Sequence, residues 1–192
     1  MDDFVIWENE YNEGSCVIQN PEGFGEQHML MEGVGLLNQW PDNVVCRMDT
    51  EYPKDIQLTD NVYGGNFVVV SGRLKAQIAL LAGASEVEFL PVAILNHKGR
   101  VASKDYFILN PIGTIDCIDV KESGVVWNAI NTSHISRVKK LVLRNEAVPT
   151  EVSVFRPTHL NRRILVRRSL AYRVSSDGFT GLSFQEPAKF RG

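Results

Sequence analysis

Val69-Val70-Ser71-Gly72-Arg73-Leu74 and Leu165-Val166-Arg167-Arg168-Ser169-Leu170 are two versions of one unit. In the first, a β-branched run gives way to Leu74, Ile78 and Leu81, whose spacings of four and three mark one face of a helix. Ser71 is placed to cap that helix and Gly83 to stop it. In the second, Val174 stands where Ile78 stands. After a one-residue deletion, Gly178, Leu182 and Phe184 take the places of Gly83, Val87 and Phe89. Both segments read strand, short helix, glycine stop, strand. Two copies are too few for a solenoid, so the repeat predicts two similar short helices packed on one sheet.

Outward from the first copy, Val87 with Phe89, Pro91 to Leu95, Tyr106 to Leu109, Ile115 to Ile118, Val125 to Trp127 and Val138 to Leu143 read as strands. The turns between them carry Asn110-Pro111, Glu122-Ser123-Gly124 and Asn145, a spacing that predicts an antiparallel meander. Ahead of the first copy the chain is dense in turn-formers: Asn12-Glu13-Gly14-Ser15, Asn20-Pro21-Glu22-Gly23, Pro41-Asp42-Asn43 and Tyr63-Gly64-Gly65-Asn66. Between them lie the short apolar runs Phe4 to Trp7, Cys16 to Ile18 and Val44 to Cys46, read as short strands. The expected fold is α+β: a mostly antiparallel sheet with two short helices packed on it, and a loop-rich N-terminal segment of short strands. The expected division is residues 1–66 as that segment and 67–192 as the α+β domain, together one compact unit.

The 192 residues are 44% apolar and 22% charged, an ordinary globular balance. The net charge of −3 conceals a split. Residues 1–66 hold 13 acidic side chains against Arg47 and Lys54, a net of −11; residues 67–192 hold 10 acidic and 18 basic, a net of +8. Such asymmetry bears on partners and internal electrostatics rather than on fold. Cys16, Cys46 and Cys117 are too few and too scattered for a disulfide framework. The N-terminus has no basic stretch followed by a long apolar one, and no apolar run approaches a bilayer's thickness. A soluble, cytoplasmic protein is expected.

Motifs for catalysis are missing. His28, His97, His134 and His159 pair with no Cys, His or carboxylate at metal-ligand spacing, and no Ser sits in a Gly-x-Ser-x-Gly elbow. Gly33-Val34-Gly35 opens like a dinucleotide loop but lacks the third glycine and the preceding strand. No cofactor or metal is expected. Asp116 and Asp119 are a candidate acid/base pair, with solvent-facing or strand-end charge as the plainer reading. The stretch from His159 to Arg168 packs Arg162, Arg163, Arg167 and Arg168 around Ile164-Leu165-Val166. With no aromatic platform among them, these arginines are read first as partners of the acidic third, then as a protein contact, and last as phosphate ligands.

The Tyr106-Phe107-Ile108-Leu109-Asn110 and Asp116-Cys117-Ile118-Asp119 block and the closing Gly181-Leu182-Ser183-Phe184 carry a family resemblance. With Val69-Val70-Ser71, Val87 to Val92, Leu141-Val142-Leu143 and Val154-Phe155-Arg156, they resemble the bacterial immunity protein 11 family over about residues 67–186. The resemblance implies a small α+β protein of a polymorphic toxin system. Such a protein binds a cognate toxin domain, often a nuclease delivered by type VI or similar contact-dependent secretion, and blocks it by occlusion, with neither cofactor nor catalytic residue. Because a nuclease site is basic, the toxin contact is expected on the acidic third. Glu22, Glu26, Glu32, Asp49, Glu51 and Asp55 are its candidate carboxylates. Tyr52, Trp7 and Trp40 are its candidate anchors, with core packing an equal reading for both tryptophans. The competing class is a small enzyme or ligand-binding protein, for which Asp116, Asp119, His134 and Arg156 are the first residues to inspect. The expected partner is thus a toxin domain; no membrane is involved, nucleic acid is disfavoured, and a homodimer is left open.

Overall fold

Both copies of the repeated unit fold as the pattern predicts. The computed structural model describes residues 3–191; Met1, Asp2 and Gly192 lie outside that range. In chain order the elements are β1 (Phe4–Asn9), β2 (Val45–Arg47), β3 (Asn61–Val62), β4 (Val69–Ser71), α1 (Gly72–Leu81), β5 (Val87–Leu95) and β6 (Val101–Pro111). There follow α2 (Val120–Ser123), β7 (Val126–Trp127), β8 (Ile135–Arg137), β9 (Val154–Phe155), β10 (Leu165–Arg167), α3 (Arg168–Ser176) and β11 (Leu182–Gln185). The repeat is therefore β4-α1-β5 and β10-α3-β11. Ser71 Oγ accepts the Leu74 N–H at 3.2 Å, the predicted cap of α1. Gly83 and Gly178 close both helices at φ +65° and +71°, a conformation that costs glycine no Cβ clash.

The duplication extends to strand pairing. One sheet has the order β2-β5-β6-β4-β3 and the other β11-β1-β10-β9. In each, a strand from outside the repeat lies between its two strands: β6 in the first and β1 in the second. Val70 faces Phe107 and Phe89 faces Leu109; correspondingly Val166 faces Val5 and Phe184 faces Trp7. Leu109 and Trp7 are thus equivalent in both pairings, two residues along from Phe107 and Val5. Only β2–β5 is a parallel ladder, so the sheets are mostly antiparallel. The α+β class stands, with the two helices shared between two sheets.

Side-chain alternation sorts the core into three clusters. Val70, Leu109, Val5, Trp7, Val154 and Val166 point to a central one with Leu74 and Ile78 of α1 and Leu170 and Val174 of α3. Their neighbours point outward. Val69, Leu90, Ile94 and Ile108 are covered by the N-terminal loops through Cys16, Leu30, Leu36, Cys46 and Met48. Phe4, Ile6, Phe155 and Leu165 are covered by the 115–148 segment through Cys117, Ile118, Val138, Leu141 and Leu143. The layers run loops, sheet, helices, sheet, loops.

Of the predicted meander after β6 only one antiparallel hairpin forms, β7 with β8. Ile115 and Ile118 make only isolated bridges, to Pro157 and Leu143, and Val138 to Leu143 is largely irregular. Asp119 accepts the Glu122 N–H at 2.9 Å and starts the four-residue α2, which Gly124 ends at φ +58°. The apolar residues there are pegs that a loop presses into a sheet face. That demands burial at intervals but no ladder.

The acidic third is built into this frame. Beyond β1, it supplies Asn61, fully buried in β3. Asn61 Nδ2 donates to Asn9 Oδ1 at 2.9 Å and to the Gly181 carbonyl at 2.8 Å, and its Oδ1 accepts from Trp7 Nε1 at 3.2 Å. Beside it Asp60 accepts from Arg73 Nη2 at 2.7 Å, Ser71 Oγ at 2.9 Å and the Thr180 N–H at 3.1 Å. Burial opposes the charge on Asp60, yet the hydrogen bonds from Arg73, Ser71 and Thr180 hold its carboxyl below the usual carboxylate range.

Candidate functional site

Two loops of the acidic third meet beside β3. The first turns at Asn12 to Ser15, where Gly14 takes φ +83° and the Ser15 N–H donates to the Asn12 carbonyl at 2.8 Å. The second turns over Asp49 to Asp55, its backbone closed by the Tyr52 N–H to Asp49 and the Asp55 N–H to Tyr52, while Asp49 Oδ1 accepts the Glu51 N–H at 3.0 Å. The Cys16 N–H bond to Gln57 and the Gln57 N–H bond to Gly14 tie the loops together.

This junction gathers three exposed tyrosines. The Tyr11 ring lies 5.6 Å from that of Tyr63, edge-on, and 6.3 Å from that of Tyr52. Tyr11 Oη donates to Asp55 Oδ2 at 2.8 Å, and this bond, with the nearby carboxylates, raises the phenol's pKa above its ordinary value. Exposed Ile56 and Glu51 and half-exposed Asp49 complete the patch. Among the described residues, no Lys, Arg or His side chain forms an ion pair with Asp49, Glu51 or Asp55. The result is an aromatic surface edged with carboxylates that form no ion pair, with exposed Lys54 in the same turn, suited to contact and not to bond chemistry.

Tyr63 also borders a cleft of about 920 Å³ between the sheets. Arg156, Arg162, Arg163, His28, His134 and His159 line it, with Glu8 and Glu32. Arg156 is 3% exposed. It donates to the carbonyls of Pro111 (3.2 Å), Asn161 (2.6 Å) and Leu30 (2.9 Å). Burial draws its pKa down to about 10, which leaves it charged at neutral pH. Among the described residues, no group of three His, Cys, Asp or Glu is placed to hold a metal ion. Burial pushes all three thiols up to about 12, so none is an activated nucleophile.

Residues 7–189 match the immunity protein family (Imm11). The chain belongs to that family. The match takes in most of the acidic third, beyond the 67–186 stretch that carried the resemblance. No curated protein matches the chain. An Imm11 protein has an immunity role toward a cognate toxin, and the family is consistent with a non-catalytic protein. No helix among the described residues is long and apolar enough to cross a membrane.

In this Imm11 protein the structure brings together Asp49, Glu51, Tyr52 and Asp55 of the sequence-predicted contact residues. Glu22 is engaged by Arg47 Nε at 2.9 and 3.0 Å, Glu26 lies 3.5 Å from His28, and Glu32 lines the cleft. Trp7 is core, and Trp40 packs on Phe24 with its Nε1 donating to the Pro91 carbonyl at 2.8 Å. Tyr11 and Tyr63 join the patch without having been predicted; their signal was a tyrosine directly before or near a turn motif, where the chain is held at the surface. Of the four residues for a competing ligand site, only His134 and Arg156 reach the cleft. Asp116 pairs with Arg144 at 2.8 Å and Asp119 caps α2.

The arginine-rich stretch is divided. Arg163 reaches Glu8 of the acidic third at 3.5 Å and Arg168 forms two bonds with Glu186, at 2.6 and 2.8 Å. Arg167 bonds the carbonyls of Val152 and Pro149 and lies over the Phe4 ring at 4.7 Å. Arg162 is exposed at the cleft.

Proposed function

We propose that this protein neutralises its toxin by stoichiometric occlusion, with the acidic tyrosine patch as a toxin contact. The cluster of Tyr11, Tyr52 and Tyr63 around Asp55 carries the reading. Tyrosines give large contact area at small entropic loss, and carboxylates that form no ion pair within the chain steer a basic partner into place. The toxin that fits is basic at the surface it presents, as a nuclease is where it holds phosphates, and its delivery is by type VI or similar contact-dependent secretion. The immunity protein then acts in the cytoplasm of the cell it protects, without cofactor or turnover. Arg167 and Arg168 have partners within the chain, which speaks against the arginine-rich stretch as a phosphate-binding row.

The test uses a toxin domain whose growth arrest this protein relieves on co-expression. Tyr52→Ala combined with Asp55→Asn lowers affinity for it by a factor of about 100, mostly through faster dissociation, if both act as central contacts. Unchanged affinity refutes the patch as the contact.

A further inference from the structure

The cleft has the opposite character from the patch beside it. Of its two lining carboxylates, Glu8 already faces Arg163. Arg156 is buried with three carbonyls as acceptors and no carboxylate within 4.0 Å among the described residues. A guanidinium with five N–H donors in that setting keeps its charge uncompensated, and low-dielectric walls project the field into the cleft. Arg162 is exposed on the same wall and pairs with no carboxylate among the described residues.

The β7–β8 hairpin lies along one rim. It gives Asn128, Asn131 and His134 to the cleft and carries Ile130, 98% exposed, at its tip, with exposed Val126 and Trp127 behind it. The hairpin is clasped to the cleft at His159. The His159 ring meets Trp127 edge-on at 5.1 Å, its Nδ1 lies 2.7 Å from the Ser133 carbonyl, and its own carbonyl accepts the Ile135 N–H at 2.9 Å. His159 holds φ +72°, the one described non-glycine residue in the left-handed region. Such a conformation is strained and persists only where surrounding contacts fix it. An isoleucine so exposed beside an uncompensated cationic cleft matches a protein segment with a carboxylate next to an apolar side chain.

We infer that the cleft and the hairpin tip form a second toxin contact, which takes a carboxylate-bearing loop of the toxin while the tyrosine patch holds a basic region. This rests on the toxin-binding reading. It reverses the sign expected of Glu32, which as a cleft residue repels the loop instead of attracting the toxin.

The experiment measures affinity for that same toxin domain, using the full chain and four variants whose melting temperatures match the parent. Arg162→Glu and Ile130→Asp each weaken binding about tenfold, and Glu32→Gln tightens it about two- to threefold. Tyr52→Ala reports separately on the patch. No binding by the parent chain refutes the toxin reading and this inference with it. Binding that depends on Tyr52 but not on Arg162 or Ile130, or that weakens in Glu32→Gln, overturns this inference alone. A parallel arm titrates inorganic phosphate: a melting temperature raised in the parent but not in Arg162→Glu, with toxin affinity equal in both, makes the cleft a small-anion site and also overturns it.

Discussion

Replacing Asn61 by Ala tests whether the acidic third and the C-terminal repeat are one cooperative structure. The side chain is fully buried and makes three hydrogen bonds, to Trp7, Asn9 and Gly181, that join β3 to β1 and to the turn before β11. Truncation orphans the Trp7 indole N–H, while the Gly181 carbonyl keeps the Glu10 N–H as a donor at 3.0 Å. One orphaned buried group costs about 1–3 kcal/mol. A chain of this size loses about 2–4 °C of melting temperature per kcal/mol, which gives a fall of roughly 2–12 °C. Urea unfolding followed by tryptophan fluorescence reads the loss, and Trp7 reports on the seam itself. Asn38→Ala, at an exposed position, is the control and stays within about 0.5 kcal/mol of the parent. A single unfolding step with a loss under about 1 kcal/mol for Asn61→Ala refutes the seam as an energetic link. Two separate steps in the parent refute the single cooperative unit.

Gly181→Ala should be worse than an ordinary glycine substitution, because φ is +79° and a Cβ there would collide with the Asn61 carbonyl and with Thr59; a melting temperature within 2 °C of the parent, on the scale of about 1 kcal/mol, rules that clash out. Asp60 is held below the usual carboxylate range when folded, so its contribution is complete above about pH 5 and is lost as pH falls from about 4 through the folded value. Asp60→Asn should therefore lower stability at pH 7 and flatten the acid limb of stability against pH, and an unaltered limb contradicts the assignment. Cys16, Cys46 and Cys117 are buried with thiols pushed up to about 12, so a disulfide reagent at pH 8 should leave the native protein unmodified and label all three once it is unfolded. Fast labelling of the folded chain would show an opening that the packing does not suggest.

The helices were legible because their signal is local. Ser71, Leu74, Ile78 and Gly83 state a cap, a face and a stop within one short window, and the second copy restates the face and the stop, with Arg167 in place of the capping serine. The place of β1 was not legible, since nothing in Phe4 to Trp7 says that its partners lie some 160 residues on; the repeat implied two strands, not the third that enters between them. Most of the meander failed for a related reason. Ile118, Val138 and Leu141 are spaced as buried residues are in a strand, but a loop anchored by the Asp119 cap and Gly124 buries them equally well. The candidate site was half legible. Composition located the acidic third, and the turn motifs located the loops. Which carboxylates are spent inside the molecule, as Glu22 is on Arg47, depends on contacts between loops and on no pattern in one of them.

Protection at fixed stoichiometry bears most directly on the central claim. Titrating the protein against its cognate toxin domain, with toxin activity as the readout, should give a linear fall to zero at one equivalent, with a 1:1 complex by sedimentation. The Tyr52→Ala, Asp55→Asn variant should need a large excess. Full protection at a few hundredths of an equivalent, or protection without any complex, would contradict occlusion and make the protein a catalyst of toxin inactivation.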